Sequence, residues 1–455
     1  MKLPLKDVVA ATGGRLIDAD AAPADVIVTT DTRALQPGET FVALRGPSFD
    51  GHQFVATAVE RGARMVVVEG ADSVVAGTAA LLVDDTRAAY LALAALARRR
   101  FDGPVIGITG STGKTTTRAF VVQLLAPRYG ARVASAPGNE NNEIGVSKLL
   151  LGLDPAEHDI AVVEMGARHP GDIATLVDAA TPDVGILTNV GDAHVEIMGS
   201  RERLAETKWA LFSRGARAIL NARDDVSLSR ASMLRHEPHW FAAYDSSETI
   251  RMPGHVTAIV DGNRLIDGGG GAAVDLHVSL DIPGQHNRPN AAAAAACAIE
   301  LGVDVLDVAN ALGKLQMPAG RFETFEMGGG WRLIFDAYNA SAGGTIAALD
   351  ALDDQHARRA IAVLASMAEL GDESTQLHER VGAHAAKRAG VVVVTGDYAD
   401  ALERGAKTGA ADVVRVDSNA GAARWLRENA RSGDVVLLKG SRKYRLEEIL
   451  EELQS

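Results

Sequence analysis

Cysteine is nearly absent: Cys297 is the only one in 455 residues. A disulfide framework within the chain is therefore excluded, and this usage fits a reducing compartment. Cys297 lies in "AAAAAACAIELG", where nothing nearby would activate a thiol, and reads as a small buried helix residue. Positive charge is not in excess either. The formal net charge is −13, so no general basic surface for nucleic acid or anionic membrane is expected. No apolar run approaches the ~20 residues of a membrane span. The nearest, "YLALAALARRRF", is short, ends in three arginines and reads as a core-facing helix. The opening "MKLPLKDVVAATGG" has no apolar signal-peptide core. A cytoplasmic protein with no nucleic-acid partner and no membrane insertion is expected.

Aromatic residues make up only 4% of the chain, while hydrophobic residues make up 47% and glycine occurs 46 times. That is the composition of a soluble α/β protein. The length calls for two or three domains. Apolar runs alternate with helical patterns almost throughout, as in parallel α/β layers. Three segments are expected: 1–101, 102–316 and 317–455. The first holds the short strands "TFVAL", "RMVVVE" and "ALLVDD", and closes with the helix "TRAAYLALAALARRRFDG". The second opens at "GPVIGITG" and continues through "IAVVEMG", "VGILTNVG" and "RAILNAR". Residues 240–282 look different: "HVTAIVDGNRLID" and "VDLHVSLDIPG" alternate with period two and predict an antiparallel section. "HNRPNAAAAAACAIELG" predicts a long helix, and "LQMPAGRFETFEMGGG" reads as a linker or boundary. "RLIFDAY", "AIAVLAS", "VVVVTGD", "DVVRVD" and "DVVLLKG" then predict a doubly wound, Rossmann-like sheet.

The stretch "VIGITGSTGKTTTRAF" carries the first chemistry. A common phosphate loop reads G-x-x-x-x-G-K-[ST]. Here Gly113, Lys114 and Thr115 fit its end, but Ile108 stands where the first glycine belongs, and glycines fall at Gly107 and Gly110 instead. The context is nonetheless an apolar strand, a glycine loop and a helix. Loop amides and a helix N-terminus favour phosphate oxygens. The predicted contacts are Gly110, Ser111, Thr112, Gly113, Lys114, Thr115 and Thr116. Lys114 can reach the terminal phosphates, and the Thr115 hydroxyl can join a Mg2+ shell.

"TGSTGKTT" resembles the ATP loop of the Mur ligases, whose glycine spacing differs in the same way. "DTRALQPGETFVALRGPSFDGHQF" resembles the uridine-nucleotide segment of the MurE and MurF types. "GNENNEIGV", "VVEMGARHPGDI", "TNVGDAHVEIMGS", "LNARDD", "PGQHNRPNAAAA", "GRFE", "DAYNAS", "MAELGDES" and "KGSR" continue the likeness over nearly the whole chain. It implies a three-domain ATP-dependent amide ligase, closest to the MurF type. That type adds D-alanyl-D-alanine (D-Ala-D-Ala) to UDP-N-acetylmuramoyl-tripeptide (UDP-MurNAc-tripeptide) in peptidoglycan synthesis. The implied architecture is a small uridine-nucleotide domain, a central ATPase-like parallel sheet with an antiparallel section, and a C-terminal Rossmann-like domain, as a monomer.

The resemblance also implies roles for individual residues. Glu164 becomes a Mg2+ carboxylate; its place at a strand end, taken alone, fits a structural polar group equally well. His194 comes near a second Mg2+, though by itself it reads as a loop histidine. Lys208, by pattern a solvated helix lysine, becomes a carbamate formed with CO2 that holds the second Mg2+. Asn287 and Asn290 read as N-caps or as amides facing adenine. Arg321 is implied to reach the ATP phosphates when domains close, and Asp336 to meet the nucleotide. Thr32, Arg33, Arg45, Gly46, Asp50, Gly51 and His52 are the implied uridine-side contacts. Relatives commonly read "GDM-ELG" and "YNAN". Here Ala365 and Ser366 precede "MAELG", and "YNAS" is followed by Ala342, Gly343 and Gly344. These departures, at 365–366 and 341–344, leave the amine open and admit a paralogous ligase with another acid or amine. A nucleotide-binding protein without catalysis would be expected to lack Lys114, Glu164 or Lys208, and all three are present.

Overall fold

The computed structural model describes the chain except residues 47–48, 192–194, 249–252, 269–272, 354, 356 and 369, with the backbone alone at 195–196. It is a mixed α/β protein. Two compact units interleave along the sequence: Met1–Thr109, Arg128–Ile186 and Thr207–Ala218 in one, Gly110–Pro127, Leu187–Glu206 and Ile219–Ser455 in the other.

In the first unit a five-stranded sheet runs Arg15–Ile17, Ala79–Leu82, Met65–Val68, Thr40–Val42, Val28–Thr29. The last four strands are mutually parallel, and Arg15–Ile17 is antiparallel to its neighbour. Phe41, Ala43, Val55, Ala58, Val66 and Val68 form the core beneath them. The helix Thr86–Arg99 starts where Asp85 accepts from the Arg87 and Ala88 amides, which satisfies two of the four orphan N–H groups of a helix start. It buries Ala89, Tyr90, Leu93, Ala94, Leu96 and Ala97, the stripe expected of a core-facing helix.

The same unit holds Val133–Ser135, Ile160–Glu164, Val105–Thr109 and, up to Ile186, Val184–Leu187 in that order. Every residue of the last three strands is buried, which is why they read as continuous apolar runs rather than alternations. Val105–Thr109 and Ile160–Glu164 are parallel, with Ile108 opposite Glu164. Thr109 and Glu164 therefore end neighbouring strands at the same edge, and the Thr109 hydroxyl donates to the Met165 carbonyl at 2.8 Å.

Arg217–Asn221, which enters the second unit at Ile219, is followed in the sheet by His239–Tyr244, Val256–Val260, Arg264–Gly268 and Val274–His277. The predicted antiparallel section is present in the two alternating stretches, as Val256–Val260, Arg264–Gly268 and Val274–His277. His239–Tyr244, just before them, pairs in parallel on both sides. The predicted long helix is Arg288–Glu300, with Cys297 buried inside it.

The last sheet runs Glu323–Met327, Trp331–Phe335, Asp434–Lys439, Arg359–Ala365, Val391–Thr395, Asp412–Arg415. Its two faces carry separate cores. Ala362, Leu364, Val392, Val394, Val435 and Leu437 pack on one side, and Ile361, Val363, Val393, Val436 and Leu438 on the other. This is the expected doubly wound arrangement. One reading is corrected: Glu323–Met327, within the stretch read as a linker, is an edge strand antiparallel to Trp331–Phe335 across a glycine turn. Its inward residues are only partly covered, so an edge strand with few core contacts looks like a linker in sequence. Among the described residues no helix is long and apolar enough to cross a membrane.

Candidate active site

The loop 110–113 joins the buried strand Val105–Thr109 to the helix Lys114–Tyr129. Ile108 is a fully buried strand residue, so the glycine missing from the common spelling would have fallen inside the strand. The loop's left-handed glycines are Gly110 (φ +151°) and Gly113 (φ +81°). A Cβ on Gly110 would lie 1.8 Å from Thr188 Oγ1, and one on Gly113 would lie 2.3 Å from Asn290 Oδ1. Only glycine fits either place.

Neighbouring strand-end residues stitch the loop in position. The Ser111 amide donates to the Asn189 carbonyl at 2.9 Å, and Thr188 Oγ1 donates to the Thr112 carbonyl at 2.6 Å. The Gly191 amide donates to Ser111 Oγ at 3.0 Å. Lys114 Nζ donates to the Gly110 carbonyl at 2.8 Å, so the ammonium lies over the loop. Thr115 and Thr116 are buried in the first turn of the helix, where the partial positive charge of the helix is concentrated. Thr188 and Asn189 were missed from sequence, although polar residues directly after the apolar run "VGIL" mark a strand end.

Asn287 and Asn290 are buried beside this loop. Asn287 makes no capping bond to its helix. Its side chain donates to the Pro283 carbonyl at 2.8 Å and accepts from Asn290 at 3.1 Å. Asn290 Oδ1 accepts from Thr117 at 3.3 Å. The two amides thus clamp the helix Arg288–Glu300 to the phosphate-loop helix.

Glu164 is 3% exposed, and Asn141 Nδ2 donates to its Oε1 at 2.7 Å. Asn141 is held in turn, its carbonyl accepting from the Gly166 amide at 2.8 Å. Asn141 was not singled out from sequence; its stretch "GNENNEIGV" carries the likeness without saying which residue points at the carboxylate. Lys208 is 1% exposed, which overturns the reading of a solvated helix lysine. It follows the buried Leu204 by four residues and precedes the buried Leu211 by three, so the helical spacing already placed it on the apolar face. His194 lies outside the described residues.

Near the last sheet, Asp336 and Lys439 form a buried ion pair at 2.7 Å. Lys439 also donates to the Asn339 carbonyl at 3.0 Å, and Asp336 accepts from the Phe322 amide at 3.3 Å. Burial pushes the Lys439 ammonium below the usual lysine range, opposed by the Asp336 charge. The neighbouring Arg321 stacks its guanidinium over the Tyr338 ring at 4.5 Å. The segment that departs from the family spelling is also firmly built. Ser366 is fully buried, and its Oγ accepts from the Tyr398 amide at 2.7 Å. The Met367 amide donates to His378 Nε2 at 2.8 Å, and the Ala368 amide to Ser441 Oγ at 2.8 Å.

In the five-stranded sheet's unit, Arg45, Asp50 and His52 come together with Glu69. Arg45 pairs with Asp50 at 3.2 Å and with Glu69 at 2.6 Å. The Glu69 amide donates to His52 Nε2, so Nδ1 carries the proton that His52 gives Asp50. The His52 amide, then its ring, then Arg45 hold the Asp50 carboxyl down at about 2. Gly51 approaches the Leu44 backbone too closely for a Cβ, which would lie 2.7 Å from its carbonyl oxygen. Gly46 lies in the short strand that pairs with Phe49–Asp50. Arg33 instead extends into solvent, paired with Asp31 at 2.7 Å, and Thr32 contributes its carbonyl to Arg61 at 3.2 Å.

Comparison with known proteins agrees along the chain. Residues 26–99 match the Mur ligase family catalytic domain, 108–298 the Mur ligase middle domain, and 320–442 the Mur ligase glutamate ligase domain. The UDP-N-acetylmuramoyl-tripeptide–D-alanyl-D-alanine ligase of Synechocystis is 41% identical over 368 residues, covering 78% of this chain and 76% of the relative. The enzyme of the same name from Escherichia coli is 34% identical over 94% of this chain and 93% of its own length. The crystal structure of MurF from Acinetobacter baumannii superposes with a TM-score of 0.85 at 28% identity, covering 100% of this chain and 99% of that one. MurF from Thermotoga maritima in complex with ADP gives 0.78 at 30% identity, covering 94% and 96%. The chain belongs to the Mur ligase family and, within it, to the MurF type.

Proposed function

We infer that this protein is an ATP-dependent amide ligase that joins D-Ala-D-Ala to UDP-MurNAc-tripeptide in peptidoglycan synthesis. The observation that carries the reading is the 41% identity to a ligase of that name, supported by a strand–loop–helix turn that admits only glycine at 110 and 113. ATP is the energy source. The tripeptide carboxylate attacks the γ-phosphorus, a C–O–P bond forms, and ADP leaves. The amine of the dipeptide then attacks the acyl carbon, loses a proton, and inorganic phosphate departs.

The first step brings two anions together, so cations and positioning carry the catalysis. We assign Lys114 and Arg321 to the ATP phosphates, with residues 110–116, Asn287, Asn290 and Asp336 as the remaining nucleotide contacts. Thr115, Glu164, His194 and a carbamylated Lys208 are the proposed ligands of two Mg2+, which supply charge neutralisation at the phosphates. The oxygens of Thr115, Glu164 and the carbamate suit this hard cation, and Asn141 fixes the direction of the Glu164 carboxylate. Carbamylation needs a neutral amine, and burial such as that of Lys208 favours the neutral form. Arg45, Asp50 and His52, with Thr32, Arg33, Gly46 and Gly51, are the proposed uridine-side contacts. The proposed domains are 1–101, 102–316 and 317–455, in a monomeric cytoplasmic enzyme.

The test is phosphate release from ATP with UDP-MurNAc-tripeptide and a panel of amines. Release with D-Ala-D-Ala is expected. Silence with that dipeptide and release with another amine would assign the chain to a ligase of different amine specificity.

A further inference from the structure

Away from the phosphate loop, three strands bring His239, His255 and Asp267 together. The register does this by itself. Trp240 pairs with Val256, which sets His239 beside His255, and Thr257 pairs with Asp267 across the antiparallel hairpin. The two imidazoles stack at 4.1 Å and 22°. His255 Nε2 lies 3.1 Å and His239 Nε2 3.8 Å from the same oxygen, Asp267 Oδ1. All three ligand atoms fall within 4.8 Å of one another. Four-coordinate zinc with bonds of about 2.0–2.1 Å separates its ligands by roughly 3.4 Å and lies in the plane of each imidazole, so the exposed His255 ring would turn out of the stack to share the ion with His239 and Asp267.

Among the described residues, the hydrogen bonds around the cluster compete for one hydroxyl proton. Thr257 Oγ1 lies 2.6 Å from Asp267 Oδ1 and 2.8 Å from His239 Nε2, while His239 Nδ1 faces Glu300 Oε2 at 3.4 Å. The Thr257 hydroxyl has one proton. Given to Asp267, it obliges His239 to donate through Nε2, which turns the Nδ1 lone pair of the neutral ring toward Glu300. Given to His239, it leaves two oxygens 2.6 Å apart with no proton between them. A cation bound at His239 Nε2 removes the conflict: Nδ1–H then donates to Glu300, and Thr257 donates to Asp267. A carboxylate behind the distal nitrogen is the usual support of a metal-bound histidine. His239 is buried, whereas the His255 side chain is 42% exposed and opens the cluster to solvent.

We propose that His239, His255 and Asp267 form a structural site for a borderline divalent metal ion of the zinc class, with Glu300 as the residue that orients His239. Two imidazoles and one carboxylate suit zinc better than Mg2+. The ion would tie the antiparallel hairpin to the strand His239–Tyr244 and, through Glu300, to the helix Arg288–Glu300 that carries Asn290.

The test is titration of the untagged full chain with Zn2+, competing against a chromophoric chelator, together with Co2+ absorption spectra. One Zn2+ per chain, a raised melting temperature and a four-coordinate Co2+ spectrum are expected. His255→Ala, a surface change, should abolish all three while leaving the metal-free melting temperature nearly unchanged. Glu300→Gln should weaken binding about 10–100-fold. No stoichiometric binding, or equal binding by His255→Ala, would overturn the proposal.

Discussion

Lys114 lies over the glycine loop with its ammonium on the Gly110 carbonyl, ready to exchange that partner for phosphate oxygens. Lys114→Ala should lower the rate of phosphate release by about 100-fold or more, with an unchanged melting temperature in the absence of nucleotide; steady-state kinetics and thermal melts check both. At Lys208 the expectation concerns chemistry as well as rate. Under 13C-labelled bicarbonate, the enzyme should show a carbamate carbon resonance that Lys208→Ala lacks, and the variant should be inactive. An active variant without that resonance contradicts the assignment. Asp336 and Lys439 allow a stability test. Asp336→Asn strands a buried ammonium and should cost about 3–5 kcal/mol in urea unfolding, and the double change with Lys439→Met should recover part of it. At this scale the sequence was only partly legible. Lys208 had a readable helical spacing, but the partners Asn141 of Glu164 and Lys439 of Asp336 come from distant strands and loops, where local pattern is silent.

Elements buried on both faces were the easiest to read. Val105–Thr109, Ile160–Glu164 and Val391–Thr395 are buried on both faces and announce themselves as unbroken apolar runs. The alternating stretches hold antiparallel strands as expected, whereas the strand His239–Tyr244 just before them pairs in parallel on both sides. Glu323–Met327 was read as a linker because an edge strand ending in three glycines buries little. The segment 366–368 illustrates how an unfamiliar spelling can still be a built element. Its anchor, His378, is fully buried, donates from Nδ1 to the Ser374 carbonyl and accepts from the Met367 amide. Burial lowers its pKa from the ordinary 6.5. The unfolded chain therefore takes up the proton first, and the contribution of His378 is complete above about pH 6.5 and fades as pH falls through the lowered value. The melting-temperature gap between wild type and His378→Ala should narrow from pH 7.5 toward about pH 5. A constant gap would show that the ring acts by packing alone.

Across the whole molecule, the net charge of −13 excluded polyanion partners in general, yet the substrates assigned to it are anions. The resolution is local: loop amides, a helix N-terminus and a few placed cations act within a largely acidic surface. The class, the doubly wound last sheet and the family were legible because the motifs recur in order over nearly the full length. The amine was not, since the departures at 341–344 and 365–366 fall in the segment that would receive it, and no local rule converts Ser366 into a ligand preference. The central claim is the ligation itself. Incubation with ATP, UDP-MurNAc-tripeptide and D-Ala-D-Ala, followed by mass spectrometry of the nucleotide products, tests it most directly. The account predicts one UDP-MurNAc-pentapeptide for each ADP and phosphate formed. ATP hydrolysis without that product, or no turnover at all with these substrates, would contradict it.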